Sequence, residues 1–378
     1  MGQERSLLSL LAQREFGVTG FAAILSFLVA FGGAKAVTNL CAGIAADRFG
    51  RKPILVTGWL VGLPVPLLLM YAPSWGWVVA ANVLLGVNQG LTWSTTVIMK
   101  VDLVGPRRRG LALGINEAAG YTSVAATAWL TGWIAERAGL RPVPFLVGLA
   151  YAVLALGLST VFVKETIEHA RLEQRIVGQG DQADNGRGHV LAVLSQAGLV
   201  TNLNDAVAWG LFPLMWAAAG LTTSDIGFLA ALYPATWGLG QTITGAWSDR
   251  IGRWPLIVSG MLIQAAGLGI MAASNSVVGW AVAAVLLGAG TAFVYPILIA
   301  AVAEVAPISR RATAIGRYRF WRDFGFAVGG LAIGLVADSG GLRQAIWTTA
   351  AITAMSGLLT WKAVNSKPFA RTYRAESR

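Results

Sequence analysis

Eleven long apolar runs, each parted from the next by a short polar interval, dominate the pattern of this chain. They lie near residues 19–44, 54–72, 76–99, 109–134, 142–163, 195–218, 224–247, 255–273, 277–302, 312–336 and 343–363. A helix needs roughly 20 mostly apolar residues to cross a bilayer, and each run is of that order. The pattern predicts an all-α membrane protein with eleven spans. One substantial hydrophilic stretch, 164–192, interrupts the series and reads as a linker. The expected organisation is a five-helix bundle over 1–163, the linker over 164–192, a six-helix bundle over 193–364 and a basic tail over 365–378. The opening residues, MGQERSLLSLLAQREFG, hold an apolar stretch too short for a span and flanked by acids, so no signal peptide is expected.

Composition sharpens this picture. Hydrophobic residues make up 55 % of the chain and charged residues 12 %, with mean hydropathy +0.62. Soluble domains carry about 25 % charged residues. The 46 glycines suit close helix–helix approach in a bilayer. The single cysteine, Cys41, excludes an intrachain disulfide. The net charge of +11 is spread over short loops, where topology accounts for it, and no nucleic-acid partner is expected. One set of loops carries Arg48, Arg51 and Lys52; Arg107, Arg108 and Arg109; Lys164, Arg171 and Arg175; Arg250 and Arg253; Arg310 and Arg311; and the basic tail. The alternate set is short and nearly uncharged. Positive loops stay in the cytoplasm, which places the linker and the C-terminus there, in a bacterial inner membrane. An odd number of spans then places Met1 outside.

The chain also repeats itself. Residues 43–53 read GIAADRFGRKP and residues 245–255 read GAWSDRIGRWP, a shift of 202 residues. The same shift aligns Arg109–Gly114 with Arg311–Gly316 and Asp102 with Glu304. A charged turn repeated at half the chain length points to two pseudo-symmetric helical bundles. The helix centred near residue 205 has a counterpart that would lie mostly upstream of Met1, and GQERSLLSLLA reads as the outer end of such a helix. Three readings stay open: a start assigned too far downstream, a truncated gene, or an eleven-helix protein.

The turn G-x-x-x-D-R-x-G-R-[KR], here Gly43 to Lys52 with its echo at Gly245 to Arg253, resembles that of the major facilitator superfamily. The resemblance implies twelve helices, a central cavity lined by the first, fourth, seventh and tenth, and alternating access by rocking of the halves. It also implies a conformational latch built from Gly43, Asp47, Arg48, Gly50, Arg51, Asp102, Gly245, Asp249, Arg250, Gly252 and Arg253. Gly43 and Gly50 are expected to allow close packing and a tight reversal. Asp47 is expected to face the start of the helix near 312, where the helix dipole favours an anion, and Arg51 to reach Asp102. Two departures matter. The fourth family helix of many proton-coupled members carries R-x-x-Q-G, but here Gly86 precedes Gln89-Gly90 in place of the arginine. The fifth lacks the G-P-x-x-G-G signature of drug antiporters.

Ionisable groups inside a membrane are costly, so each is a functional candidate. They are Lys35, Glu117, Asp205, Arg319, Arg322 and Asp323, with Arg317 near enough to a helix end to snorkel. Asn202, Asp205, Trp209, Phe212 and Trp216 recur at helical spacing, as do Asn82, Gly86, Gln89, Trp93 and Lys100. The resemblance implies that both helices line the cavity, so Asp205, Asn202, Trp209, Gln89 and Trp93 are candidates to face substrate, against a purely interhelical role. Arg319 and Asp323 are spaced to pair, leaving Arg322 to Glu117 or a substrate anion; the resemblance makes the helices of Lys35 and Asp323 neighbours, which implies a Lys35–Asp323 pair. Burial favours the neutral form of a carboxylate, so Glu117 or Asp205 is expected to take up and release a proton. No ATP-binding loop or H-E-x-x-H is present, and His169 and His189 both fall in the linker. No cofactor, metal or enzymatic activity is expected. The reading is a monomeric secondary transporter whose partners are lipid, a small solute with a weak tilt towards an anion, and protons or another coupling ion. Its alternatives are a proton-coupled drug or metabolite exporter and a non-transporting sensor or assembly factor.

Overall fold

The computed structural model describes residues 1–104, 109–168, 187–306 and 311–365. Among these, all regular structure is helical. The first half of the chain forms α1 (Gly2–Arg14), α2 (Phe21–Ile24), α3 (Ser26–Phe49), α4 (Arg51–Gly62), α5 (Pro64–Tyr71), α6 (Trp75–Val104), α7 (Arg109–Ala138) and α8 (Leu146–Val161). The second half forms α9 (Arg187–Gly210), α10 (Phe212–Ala218), α11 (Thr223–Ile251), α12 (Arg253–Ala273), α13 (Val277–Val305), α14 (Arg311–Val328) and α15 (Gly334–Val364). The paired segments α4–α5 and α9–α10 each make one rod. A π-helical turn, Gly329–Ile333, joins α14 to α15, and Gly341 at φ +82° breaks α15 into the end of one rod and the start of the next.

Local sequence sets the ends. Gly50 and Gly252, at φ +96° and +93°, reverse the chain between α3 and α4 and between α11 and α12. Such angles favour glycine. Thr222 and Asp225 form a capping box at the start of α11, and the Ser276 hydroxyl accepts from Gly279 N–H at the start of α13.

Six helical runs among the described residues are long and apolar enough to cross a bilayer by composition alone. The other long helices, α6, α7, α9 and α11, carry the buried polar side chains Asn82, Asn88, Glu117, Asn202, Asn204, Asp205 and Gln241. Their lower hydropathy comes from a polar inward face, not from exposure to water.

The opening residues form α1. Gly2 to Ala12 form a helix buried throughout, Gln3, Glu4, Arg5, Ser6 and Ser9 included. Its first residues lie beside the middle of α7 rather than beyond a helix end. A Cβ on Gly2 would meet Thr127 and Val124, halfway along α7, whereas the far end of α1 leads to Glu15, which pairs with Arg141 beyond the end of α7.

The halves meet unequally. One large buried apolar cluster runs through both, from Leu7, Phe27 and Phe31 to Trp209, Trp237 and Ile346. The second cluster, which includes Leu194, Trp254, Ile257 and Leu298, belongs to the second half alone and lies towards its repeated turn. The shared core thus sits away from the face that carries the two turns.

Candidate functional site at the centre of the bundle

Asp323 on α14 is the hub of the centre. It is fully buried and accepts from Arg322 Nε and Nη2, each at 2.9 Å, and from Asn202 Nδ2 at 3.0 Å on α9. From the first half, Lys35 Nζ on α3 lies 3.9 Å away and Asn39 donates to the other carboxylate oxygen. The expected Arg319–Asp323 pair is replaced by Arg322–Asp323. Asp323 points into the gap between α3 and α9, and the long guanidinium of its neighbour curls round to it. Arg319 instead donates from Nη1 to Ser94 Oγ on α6 at 3.2 Å, and that hydroxyl donates to Asn39 Oδ1 at 2.7 Å.

A second buried pair lies on the far side of this hub from the turns. Arg5 on α1 holds both oxygens of Asp205 at 2.6 and 2.8 Å, while its guanidinium sits 5.0 Å from the Trp209 ring. Sequence reading missed Arg5. Its helix is short and polar, and nothing local links it to a residue 200 positions away. The pair corrects the expectation that Asp205 is a free proton carrier. Trp209 packs edge-on against Phe27, Phe31 and Phe326 and is 1 % exposed. Asn202, Asp205 and Trp209 are therefore committed to protein partners rather than to an open cavity wall.

Glu117 on α7 differs. Its Oε1 accepts from Trp93 Nε1 at 2.9 Å and Asn116 Nδ2 at 3.2 Å, and Lys100 donates to Asn116 in turn. Glu117 is buried, no cation stands within ion-pair distance among the described residues, and Oε2 has no hydrogen-bond partner there. Trp93 and Tyr295 flank Tyr121 at 5.4 and 5.9 Å between ring centroids, Trp237 stacks on it, and Arg322 lies 4.8 Å over Tyr295. Gln89, half-buried, touches Asn88 at 3.4 Å and leaves Oε1 unpartnered. Gly86 has a steric explanation: a Cβ there would lie 2.5 Å from Phe31 O and 3.0 Å from Lys35 N. The close approach of α3 and α6 excludes the arginine.

At the first turn Arg51, 4 % exposed, donates to Asp102 at 3.1 Å and to Asp47 and Ala46 O at 2.8 and 2.9 Å. Its counterpart Arg253 holds Glu304 at 3.0 and 2.8 Å and also bonds Ser248. The Asp47 side chain is 73 % exposed and bonds Arg51. The residues before α14, its expected partner, lie outside the described ones. Gly43 and Gly245 meet nothing within 4 Å, so neither serves close packing. Arg48 and Arg250 are exposed; the Asp249 side chain, Arg107, Arg108, Arg310, His169, most of the linker and the tail lie outside the described residues.

Glu165, which sequence reading passed over, clamps this turn. Its carboxylate accepts from the backbone N–H of Arg51 at 2.9 Å, Lys52 at 3.0 Å, Thr166 at 2.8 Å and Ile167 at 3.0 Å. Partial burial works to raise its pKa, but the four donors outweigh it and hold the carboxyl below the ordinary glutamate range.

The opposite face is closed by two carboxylates that reach across the halves. Asp338 accepts from Phe21 and Ala22 N–H at 2.5 and 3.1 Å, and Glu136 accepts from Thr223 N–H at 2.8 Å. The 202-residue shift relates Glu136 to Asp338 and Phe21 to Thr223. Beside them Gly132 packs on Gly227 and Gly334 on Ala22, each so tightly that a Cβ would lie 2.7 Å from the facing Cα.

A paired turn, paired carboxylate caps and a charged centre between two helical halves describe a repeated transport fold. The sequence model of the Major Facilitator Superfamily matches residues 5–182 and 194–377. The chain belongs to the Major Facilitator Superfamily. Within the superfamily, it is 25 % identical over 342 residues to an uncharacterized MFS-type transporter of Salmonella typhimurium, covering 86 % of this chain and 82 % of that one. It is 24 % identical over 320 residues to the multi-drug resistance efflux pump PmrA of Streptococcus pneumoniae, covering 84 % and 79 %. The fold matches a D-xylose–proton symporter at TM-score 0.74 and 16 % identity, covering 96 % of this chain and 93 % of that one. Superfamily membership makes the chain a multi-pass membrane transporter.

Proposed function

We propose that the chain is a proton-coupled secondary transporter that moves a small amphipathic solute across the cytoplasmic membrane by alternating access. The observation that carries this reading is Glu117, a buried carboxylate with no cation partner, set in an aromatic wall where the halves meet. Its neighbours are Trp93 and Lys100 from α6, Asn116 and Tyr121 from α7, and Arg319 and Arg322 within electrostatic reach from α14. In this reading Glu117 carries the proton, while Arg5–Asp205 and the Asp323 hub hold the halves together. The turns, the linker and the C-terminus face the cytoplasm, where their positive charge retains them. The Glu136 and Asp338 caps close the outer face, and the solute reaches the centre from the turn face. The chain works as a monomer of two bundles, 1–163 and 193–364. Export is the direction favoured by the name of the pneumococcal relative.

Acidified everted vesicles containing the overproduced chain test this. Proton release is read by a pH-sensitive acridine dye on adding a panel of amphipathic dyes and aromatic acids, amides and amines. A solute-dependent response in wild type that Glu117→Gln loses, while solute exchange persists, is the expected result. A response unchanged in that variant refutes the role of Glu117. No response and no exchange with any member favours the sensor reading.

A further inference from the structure

The charges in the centre do not cancel. Arg5 and Asp205 neutralise each other. Around them stand Lys35, Arg319 and Arg322 against Asp323 and Glu117. Asp323 is shared by Lys35 and Arg322, and among the described residues Arg319 bonds the Ser94 hydroxyl alone. With both acids ionised the cluster carries one positive charge too many, and a proton on Glu117 adds another. Lys100, bonded to Asn116 on the turn side, adds to the excess. Uncompensated charge removed from water is costly.

The donors left over indicate where the compensation belongs. Arg322 is 3 % exposed and its Nη1 has no hydrogen-bond partner among the described residues; nor has Arg319 Nε, one turn earlier on α14. Both guanidiniums lie within electrostatic reach of Glu117. Tyr295 lies under Arg322, and Tyr121, Trp93 and Trp237 continue the aromatic surface from it. Two unspent N–H donors beside a ring-lined wall suit a planar oxyanion on a flat apolar body.

We propose that this transporter's substrate is a small aromatic monocarboxylate, its carboxylate held by Arg319 and Arg322 and its ring laid against Tyr121 and Tyr295. The excess of positive charge calls for an anion, the two unspent donors for a single carboxylate, and the aromatic wall for the body. This deepens the transport reading above and rests on it for the word substrate, but binding is measured apart from transport.

The purified full chain in detergent is titrated with phenylacetate and indole-3-acetate, with their neutral amides, and with the amines phenethylamine and tryptamine. Binding is read as a ligand-dependent rise in Tm and as quenching of tryptophan fluorescence. The acids raise Tm saturably and the amides and amines do not. Arg319→Gln weakens the acids at least tenfold, Arg319→Lys recovers part of the loss, and Arg317→Gln, exposed on the same helix, binds as wild type. Should Arg319→Gln fail to fold, the Arg319→Lys and ligand-series arms still decide. The proposal is overturned if amides or amines bind as well as the acids, if none of the acids binds, or if the Arg319 variants bind them as wild type. In proteoliposomes, acids that bind but are never carried sink the transport reading and leave this inference standing. Carried amines without acid binding do the reverse.

Discussion

Removing the carboxylate caps on the face opposite the turns is expected to open that face by a calculable amount. Asp338 accepts two backbone N–H groups at the start of α2, and Glu136 accepts one at the start of α11. Both side chains belong to exposed residues. A carboxylate at an exposed helix start stabilises it by about 0.3–1 kcal/mol, and solvent keeps these two inside that range. Alanine at both positions removes about 0.6–2 kcal/mol from the closed form. At about 1.4 kcal/mol per factor of ten, the open-to-closed ratio rises about 3- to 30-fold. Alanine suits a helix interior, so α7 and α15 themselves lose little.

Pulsed electron spin distance measurements read this directly. Labels at Ser74→Cys and Val278→Cys, two exposed sites in opposite halves near this face, go into a Cys41→Ser background, because Cys41 is itself exposed. The double variant gains a longer-distance population. Asp338→Ala shifts more than Glu136→Ala, since it loses two donors against one. An unchanged distribution in the double variant, or the reverse order of the singles, refutes the reasoning.

Other perturbations test other parts of the structure. Arg5→Met leaves Asp205 buried without its partner and should cost about 3–5 kcal/mol; Arg5→Met/Asp205→Leu should recover much of that in thermal unfolding, and equal losses would count against the pair. Glu165, held below the ordinary carboxyl range, contributes stability that is complete above the unfolded value of about 4.3 and disappears as pH falls through the folded value. Tm measured from neutral pH downward should therefore drop more steeply in acid for wild type than for Glu165→Gln. Gly86→Ala places a Cβ 2.5 Å from Phe31 O and should destabilise by about 1–3 kcal/mol, with Gly86→Arg worse; a neutral Gly86→Ala would show that α3 and α6 part easily.

The apolar runs made the rods legible because a bilayer leaves little choice of structure for an apolar segment of that length. The repeat made the turns legible, and one shift aligns Arg51–Asp102 with Arg253–Glu304. That shift also relates the Glu136 and Asp338 caps, but the caps bind backbone, which carries no sequence mark. Arg5 stayed hidden because a buried ion pair makes its helix look polar, and hydropathy averages cannot separate a polar inward face from a solvated one. Helical spacing placed Arg319 and Asp323 on one face, yet it could not say which long guanidinium would reach the carboxylate. Gly86 stood out as a missing arginine; its reason, a backbone contact with another helix, is a property of the pair.

Where the bonds fall within and between the halves bears on how the molecule can move. On the turn face Arg51–Asp102 and Arg253–Glu304 each lie inside one half, so rocking leaves both intact. At Asp323 the bonds divide: Arg322 and Asn202 belong to the same half, whereas Lys35 and Asn39 come from the other. In the alternating-access reading, opening the face opposite the turns breaks the second set and keeps the first. Asp323 then never loses all its partners, which keeps a buried charge from being stranded in mid-cycle. Lys35 does lose its carboxylate, so its separation is the costly step, and Lys35→Met should remove that cost. In the same spin-label pair, Lys35→Met is expected to raise the population open on that face without lowering Tm as far as Asp323→Asn does, because the aspartate keeps Arg322. If both variants lower Tm equally, the second-half partners do not hold Asp323 alone and this order of bond breaking is wrong.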